Sequence, residues 1–198
     1  LYWDGQFDDA RLALALARTA AAQGALLVNY CAATKLLHEN GKLVGLQVED
    51  RETGTPYTIQ ARCVVNATGV WVDGLRQQDA AALDRPVKPM VAPSQGVHVV
   101  VDRSFLPSDH ALLVPKTADG RVLFAVPWLG KLILGTTDTP RQDLPREPQP
   151  FAEELDFILR ESARYLAKPP QRSDVLSVWV GLRPLLKPAD EEAGAPKK

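Results

Sequence analysis

The order of helix, hairpin and β-branched runs predicts an α/β segment joined to an α+β domain built mostly from antiparallel strands. Three observations carry this expectation. An Ala/Leu-rich run with an acidic start and a glycine stop lies near the beginning, Asn40-Gly41 separates two runs of strand type, and from about Pro86 short Pro-punctuated runs take over. With 198 residues, 45% hydrophobic and 24% charged, the chain has enough apolar material for one domain or two small ones.

Asp8 and Asp9 precede Ala10–Gln23, and Gly24 follows, which is the pattern of a capped helix. Ala25–Tyr30 reads as a short strand after it, one step of a βαβ unit. Runs 34–39 and 42–49 flank Asn40-Gly41, a strong two-residue hairpin signal. With a second turn at Glu52-Thr53-Gly54 and the run Tyr57–Gln60, they make a three-stranded meander. Arg62–Gly69 reads as a buried strand ending in small residues, and Val70–Gln78 as the start of a helix. Further on, 88–91, 96–101, 111–114, 121–126 and 131–136 read as strands, with Asp119-Gly120 as a turn and Pro140–Pro150 as a loop. Phe151–Ala167 has helical apolar spacing and stops at Pro169-Pro170, and Val175–Val180 reads as a last strand. The texture changes at about residue 80, which predicts segments 1–80 and 81–187 and a polar, disordered tail over 188–198.

Charge narrows the partners. Twenty-three basic and 24 acidic side chains give a net charge of −1 with no basic run, so nucleic acid is not expected as a partner. Cys31 and Cys63 lie in apolar runs without metal-ligand spacing, and are expected as reduced, buried thiols. No apolar stretch approaches the roughly 20 residues of a membrane span. The chain opens on Leu1 directly into an aromatic run, which suggests a piece of a longer protein.

Three segments carry chemistry. Val64-Val65-Asn66-Ala67-Thr68-Gly69-Val70-Trp71-Val72-Asp73 ends a strand in small residues, where a flat or phosphorylated ligand can approach the backbone. A tight strand-to-helix turn without a ligand explains it equally well. His98, in Pro93-Ser94-Gln95-Gly96-Val97-His98-Val99, suits a general base because an unperturbed imidazole titrates at about 6.5. A lone strand histidine is more often a satisfied sheet residue. Arg183, between Gly181-Leu182 and Pro184, offers a guanidinium fork for phosphate or carboxylate, although a surface arginine or a structural ion pair is the more common case for such a residue alone.

Taken in order, YWDGQFDDA, NATGVWVD, PSQGVHVVVD, LLVPKTADGRVLFAVPW, GTTDTP and DVLSVWVGLRPL resemble the FAD-dependent, quinone-linked glycerol-3-phosphate dehydrogenases, from Tyr2 to about Leu186. The resemblance implies a partial FAD-binding domain of two-dinucleotide type over 1–80, with its β-meander, and a substrate-binding domain over 81–187. It implies oxidation of sn-glycerol 3-phosphate to dihydroxyacetone phosphate, with hydride passing to the flavin and electrons to ubiquinone. By carry-over, His98 is the catalytic base and Arg183 binds substrate. Ala67, Thr68 and Gly69 contact FAD through the backbone, and Val28 lies near the adenine side. The implied location is cytoplasmic, peripheral on the inner face of the cytoplasmic membrane.

No G-x-G-x-x-G occurs in these residues, so the 198-residue chain by itself is expected to be colourless and inactive. Two other readings remain open at this point: a related FAD-dependent amino-acid oxidase, with Arg183 on a carboxylate, and a non-catalytic binding domain.

Overall fold

The computed structural model describes residues 3–117 and 120–187. The Asp119-Gly120 turn falls partly outside the described residues, and the 188–198 tail wholly outside them. Two compact units divide the chain, Leu1–Val65 and Asn66 onward.

In the first unit, helix α1 spans Asp9–Ala22, with the Asp8 carboxylate accepting from Arg11 N at 3.0 Å. Gly24 ends it at φ +91°, a backbone region that a side chain disfavours. The meander follows as expected: β1 Cys31–Glu39, β2 Lys42–Asp50 and β3 Pro56–Gln60, antiparallel in the order β1-β2-β3. Asn40 and Gly41 both take positive φ, +50° and +74°, as a primed hairpin turn requires.

Two expected strands are absent. Residues 25–30 and 62–68 have no strand assignment, and Leu26, Val28 and Val65 are largely exposed. A strand exists only as part of a ladder, and apolar runs of this type need neighbours on both sides. Among the described residues, neither sheet places a strand beside them. The cysteine expectation is corrected for the same reason: Cys63, in the unpaired run, is exposed, and Cys31 is half-buried.

The second unit begins with a 3-10 turn, Gly69–Trp71, running into α2, Val72–Ala82. That helix therefore belongs with the second unit, ahead of the change of sequence texture at about residue 80. Six strands follow: β4 Val91–Asp102, β5 Leu112–Val114, β6 Leu123–Trp128, β7 Lys131–Gly135, β8 Thr139–Pro140 and β9 Ser177–Leu186. All pairings are antiparallel. The runs expected at 88–91 and 96–101 are one event: a single strand starts at Val91, because β9 pairs continuously with Val91–Val100. β9 covers one edge of β4, and β7 and β8 share the other.

Alternation along β4 sets the layers. Val97, Val99 and Val101 are fully buried on one face with Leu132, Leu134 and Ala125, against Phe157, Ile158 and Leu159 of α3, Ala152–Ser162. Each such side chain contributes about 1.5–3 kcal/mol by burial. α3 ends five residues before Ala167, and turns continue the chain from there.

Candidate functional site

Because β4 sends its odd-numbered residues into the core, Ser94, Gly96 and His98 share the opposite face. Directly paired residues on antiparallel strands point the same way. Arg183, Gly181 and Trp179 of β9 pair with Ser94, Gly96 and His98, and Gly135 of β7 pairs with His98 from the other edge. His98 and Arg183 therefore project from one face of one sheet.

Glycines make the floor on which both side chains lie. The Arg183 guanidinium covers Gly96 so closely that an added Cβ would stand 2.1 Å from Nη2. The His98 ring covers Gly135, where a Cβ would meet Cδ2 at 2.3 Å. Gly181 is bare, with nothing within 4 Å of such a Cβ. Residues two apart on a strand repeat at about 6.7 Å. The fork over Gly96 and the imidazole over Gly135 lie above diagonal neighbours on paired strands, which are about 7–8 Å apart, the scale of a three-carbon molecule with one charged end. His98 also stacks on Trp179, ring centroids 5.3 Å apart and planes 17° apart, which fixes the tilt of the imidazole.

The fork is anchored. Arg183 Nη1 donates to Thr137 O at 2.9 Å and Nη2 to Thr136 Oγ1 at 2.6 Å. A guanidinium carries five N–H donors, so two anchoring bonds leave donors for an anion. Thr136 and Thr137 lie in the segment that joins β7 to β8 along the edge of β4. On the core side of that segment, Thr137 Oγ1 accepts from Val97 N at 3.0 Å and donates to Glu154 Oε1 at 3.1 Å. Glu154 is buried, and it also accepts from Thr139 Oγ1 (2.6 Å), Gln95 Nε2 (2.7 Å) and Phe151 N (2.9 Å).

Ala67 and Thr68 are coil, and Gly69 opens the 3-10 turn. Asn66 holds this segment from within: its Oδ1 accepts from Thr68 Oγ1 at 2.8 Å, and its Nδ2 donates to Val72 O at 2.9 Å. Ala67 and Gly69 are exposed, and Gly69 has φ +59° with open space where a Cβ would be. The backbone here is accessible without a strand, so the small residues fit the approach of a flat ligand. Asp73 fixes the helix that follows, accepting from Met90 N, Val91 N and Arg76 Nη1. Burial pushes its carboxyl up, but the bonds from Val91, Met90 and Arg76 outweigh it and hold the group below the usual aspartate range. Val28 lies in the first unit, exposed and outside any strand.

Sequence reasoning found the two chain positions that face each other across Gly96, but not what holds them. A signal for Glu154 was available: an acid placed on the apolar stripe of α3 with Phe157, Ile158 and Leu159. Thr136 and Thr137 entered only as part of the GTTDTP motif, since register across β4 cannot be read from one strand.

The FAD dependent oxidoreductase family model matches residues 1–196, and the chain belongs to that family. Within it, the chain is similar to glycerol-3-phosphate dehydrogenases. It is 44% identical over 193 residues to the mitochondrial glycerol-3-phosphate dehydrogenase of Schizosaccharomyces pombe, covering 94% of this chain and 30% of that protein. To the mitochondrial enzyme of Homo sapiens it is 41% identical over 204 residues, covering 98% of this chain and 27% of that protein. The Bacillus halodurans glycerol-3-phosphate dehydrogenase, solved in complex with FAD, superposes with a TM-score of 0.82 at 39% identity, over 92% of this chain and 36% of that one. The resemblance read from the ordered motifs is borne out. This chain spans about a third of the length of these relatives. No helix among the described residues is long and apolar enough to cross a membrane.

Proposed function

We propose that a full-length protein containing this chain oxidises sn-glycerol 3-phosphate to dihydroxyacetone phosphate, with FAD as cofactor, and passes the electrons to ubiquinone while bound peripherally to the inner face of the cytoplasmic membrane. The observation that carries the proposal is the shared face: an anchored guanidinium lying over Gly96 and an imidazole project beside the bare backbone of Gly181. Arg183 binds the phosphate through the donors that Thr136 and Thr137 do not use. His98, held by Trp179, takes the proton of the C2 hydroxyl. Building alkoxide character at that oxygen makes the C2 hydrogen a better hydride, so base and anion site must address one molecule at once.

The FAD, when bound, supplies the hydride acceptor. Ala67 and Gly69 are exposed with Thr68 half-buried between them, and these small residues suit the backbone to lie against that group, with Val28 toward the adenine side. The 198 residues alone contain no G-x-G-x-x-G, and by this reading they neither retain FAD nor turn over.

Anaerobic mixing of the full-length protein with glycerol 3-phosphate, and separately with a panel of amino acids, tests the substrate class. Bleaching of the flavin by glycerol 3-phosphate alone is expected. Bleaching by an amino acid and not by glycerol 3-phosphate overturns the proposal in favour of an amino-acid oxidase.

A further inference from the structure

Glu154 has no place in the chemistry proposed above, yet it is a buried carboxylate that accepts four hydrogen bonds from three separate stretches of chain. The donors are Gln95 on β4, Thr137 in the β7–β8 segment, Thr139 on β8 and the Phe151 amide at the start of α3. Neighbouring contacts extend the set: Gln95 Nε2 also donates to Gln149 O at 3.1 Å, and Arg141 Nη1 donates to Gln95 Oε1.

The direction of these bonds matters more than their number. Thr137 is the shared member: its hydroxyl reaches down to Glu154 and its carbonyl reaches up to Arg183 Nη1. Thr136, one residue earlier, accepts from Arg183 Nη2 and donates to Thr137 O at 3.2 Å. A segment held only by Arg183 would follow the fork wherever an incoming anion drew it. Pinned from the core side by Glu154 and by Val97 N, it instead gives the fork a fixed seat.

We propose that Glu154 is a positioning residue for the anion site: through Thr137 it fixes the height and angle at which Arg183 meets the phosphate of the substrate. The proposal rests on the reading of Arg183 as the phosphate-binding group. Glu154 touches neither substrate nor cofactor and acts through the β7–β8 segment alone. Loss of the carboxylate leaves that segment held from the core side by Val97 N alone, so the fork is less well preorganised and binding of the charged end suffers first.

The test uses the full-length protein and two substrates that share a C2 carbinol, glycerol 3-phosphate and glycerol. Glu154→Ala removes the carboxylate. Thr137→Val, of nearly the same shape, removes the link to Glu154 together with the bond from Val97 N, and serves as a second variant if the first fails to fold. Both are expected to raise KM for glycerol 3-phosphate by about tenfold or more, with kcat and the slow reaction of glycerol changed less than about threefold. Glu154→Gln is expected to restore KM, since its oxygen can serve Gln95 and Phe151 while its amide donates to the two threonine hydroxyls. An equal loss with both substrates means a general structural role and overturns the inference, as does an unchanged KM in Glu154→Ala and Thr137→Val. Arg183→Lys separates the two levels. If it raises KM while Thr137→Val does not, only the Glu154 inference fails. If Arg183→Lys leaves KM unchanged, the phosphate-binding reading itself fails.

Discussion

Gly96→Ala offers a local way to move the anion site without touching its residues. A Cβ at position 96 would lie 2.1 Å from Arg183 Nη2, 2.4 Å from Cζ and 2.6 Å from Nη1, where ordinary contact begins at 3.4 Å. The fork must therefore retreat by about 1.3 Å, and its bonds to Thr136 and Thr137 cannot survive that displacement intact. Backbone strain does not enter, because Gly96 lies in extended strand conformation and alanine in a strand gains roughly 0.5–1 kcal/mol over glycine. Two hydrogen bonds to a charged group contribute about 1.5–3 kcal/mol each. A displaced guanidinium recovers much of that from water, leaving a net stability loss below about 2 kcal/mol. Misplacement by about 1 Å, however, costs on the order of a hundredfold in reactivity, near 2.7 kcal/mol of transition-state stabilisation. The full-length variant should thus melt within a few degrees of the wild type, while kcat/KM for glycerol 3-phosphate drops by about 10²-fold, mostly through KM. Steady-state kinetics and thermal unfolding on the same preparation check both halves. A folded Gly96→Ala protein with wild-type KM would refute the placement of Arg183 as the phosphate site.

Gly135→Ala addresses the other side chain: a Cβ would stand 2.3 Å from His98 Cδ2 and push the imidazole off its seat, so kcat should fall by about tenfold or more with KM little changed. In the meander, Gly45→Ala places a Cβ 2.1 Å from Ile59 O, a backbone atom of β3, and overpacking of this kind should cost about 1–3 kcal/mol in denaturant unfolding without altering residues of the second unit. Asp73→Asn should destabilise by about 1–3 kcal/mol at neutral pH, since the carboxylate accepts from two backbone amides and Arg76. Because the folded-state pKa of Asp73 is lowered, its contribution is present above the ordinary aspartate value and is lost as pH falls through the folded value. The wild type and Asp73→Asn should therefore converge in stability only in strong acid, as urea unfolding across pH will show.

Local signals in the sequence were read well where the structure is local. Asp8 and Gly24 bound α1, Asn40-Gly41 turns the hairpin, and the apolar spacing after Phe151 marks α3. Reading failed where a strand depends on partners. Ala25–Tyr30 and Arg62–Gly69 have the composition of buried strands, but a ladder is a property of two segments and not of one. The site shows the same division. His98 and Arg183 stood out by residue type and by the ordered motifs around them, and family membership follows from the comparisons. Their common face depends on β4 and β9 pairing Ser94 with Arg183 rather than one residue away, since a slip of one would turn Arg183 into the core. The paired residues Ser94 and Arg183 are separated by 88 residues of chain, and no local pattern encodes their register.

The division of labour between His98 and Arg183 is most directly tested by rapid anaerobic flavin reduction in the full-length protein, with glycerol 3-phosphate varied to saturation. The limiting rate reads hydride transfer from C2 assisted by removal of the C2 hydroxyl proton, and the concentration dependence reads binding of the charged end. His98→Ala is predicted to lower the limiting rate by about 10²–10⁴ with little change in apparent Kd. Arg183→Lys is predicted to raise apparent Kd, because a point charge replaces a fork. A His98→Ala protein that reduces its flavin at the wild-type limiting rate, or an Arg183→Lys protein with the wild-type Kd, would contradict the account.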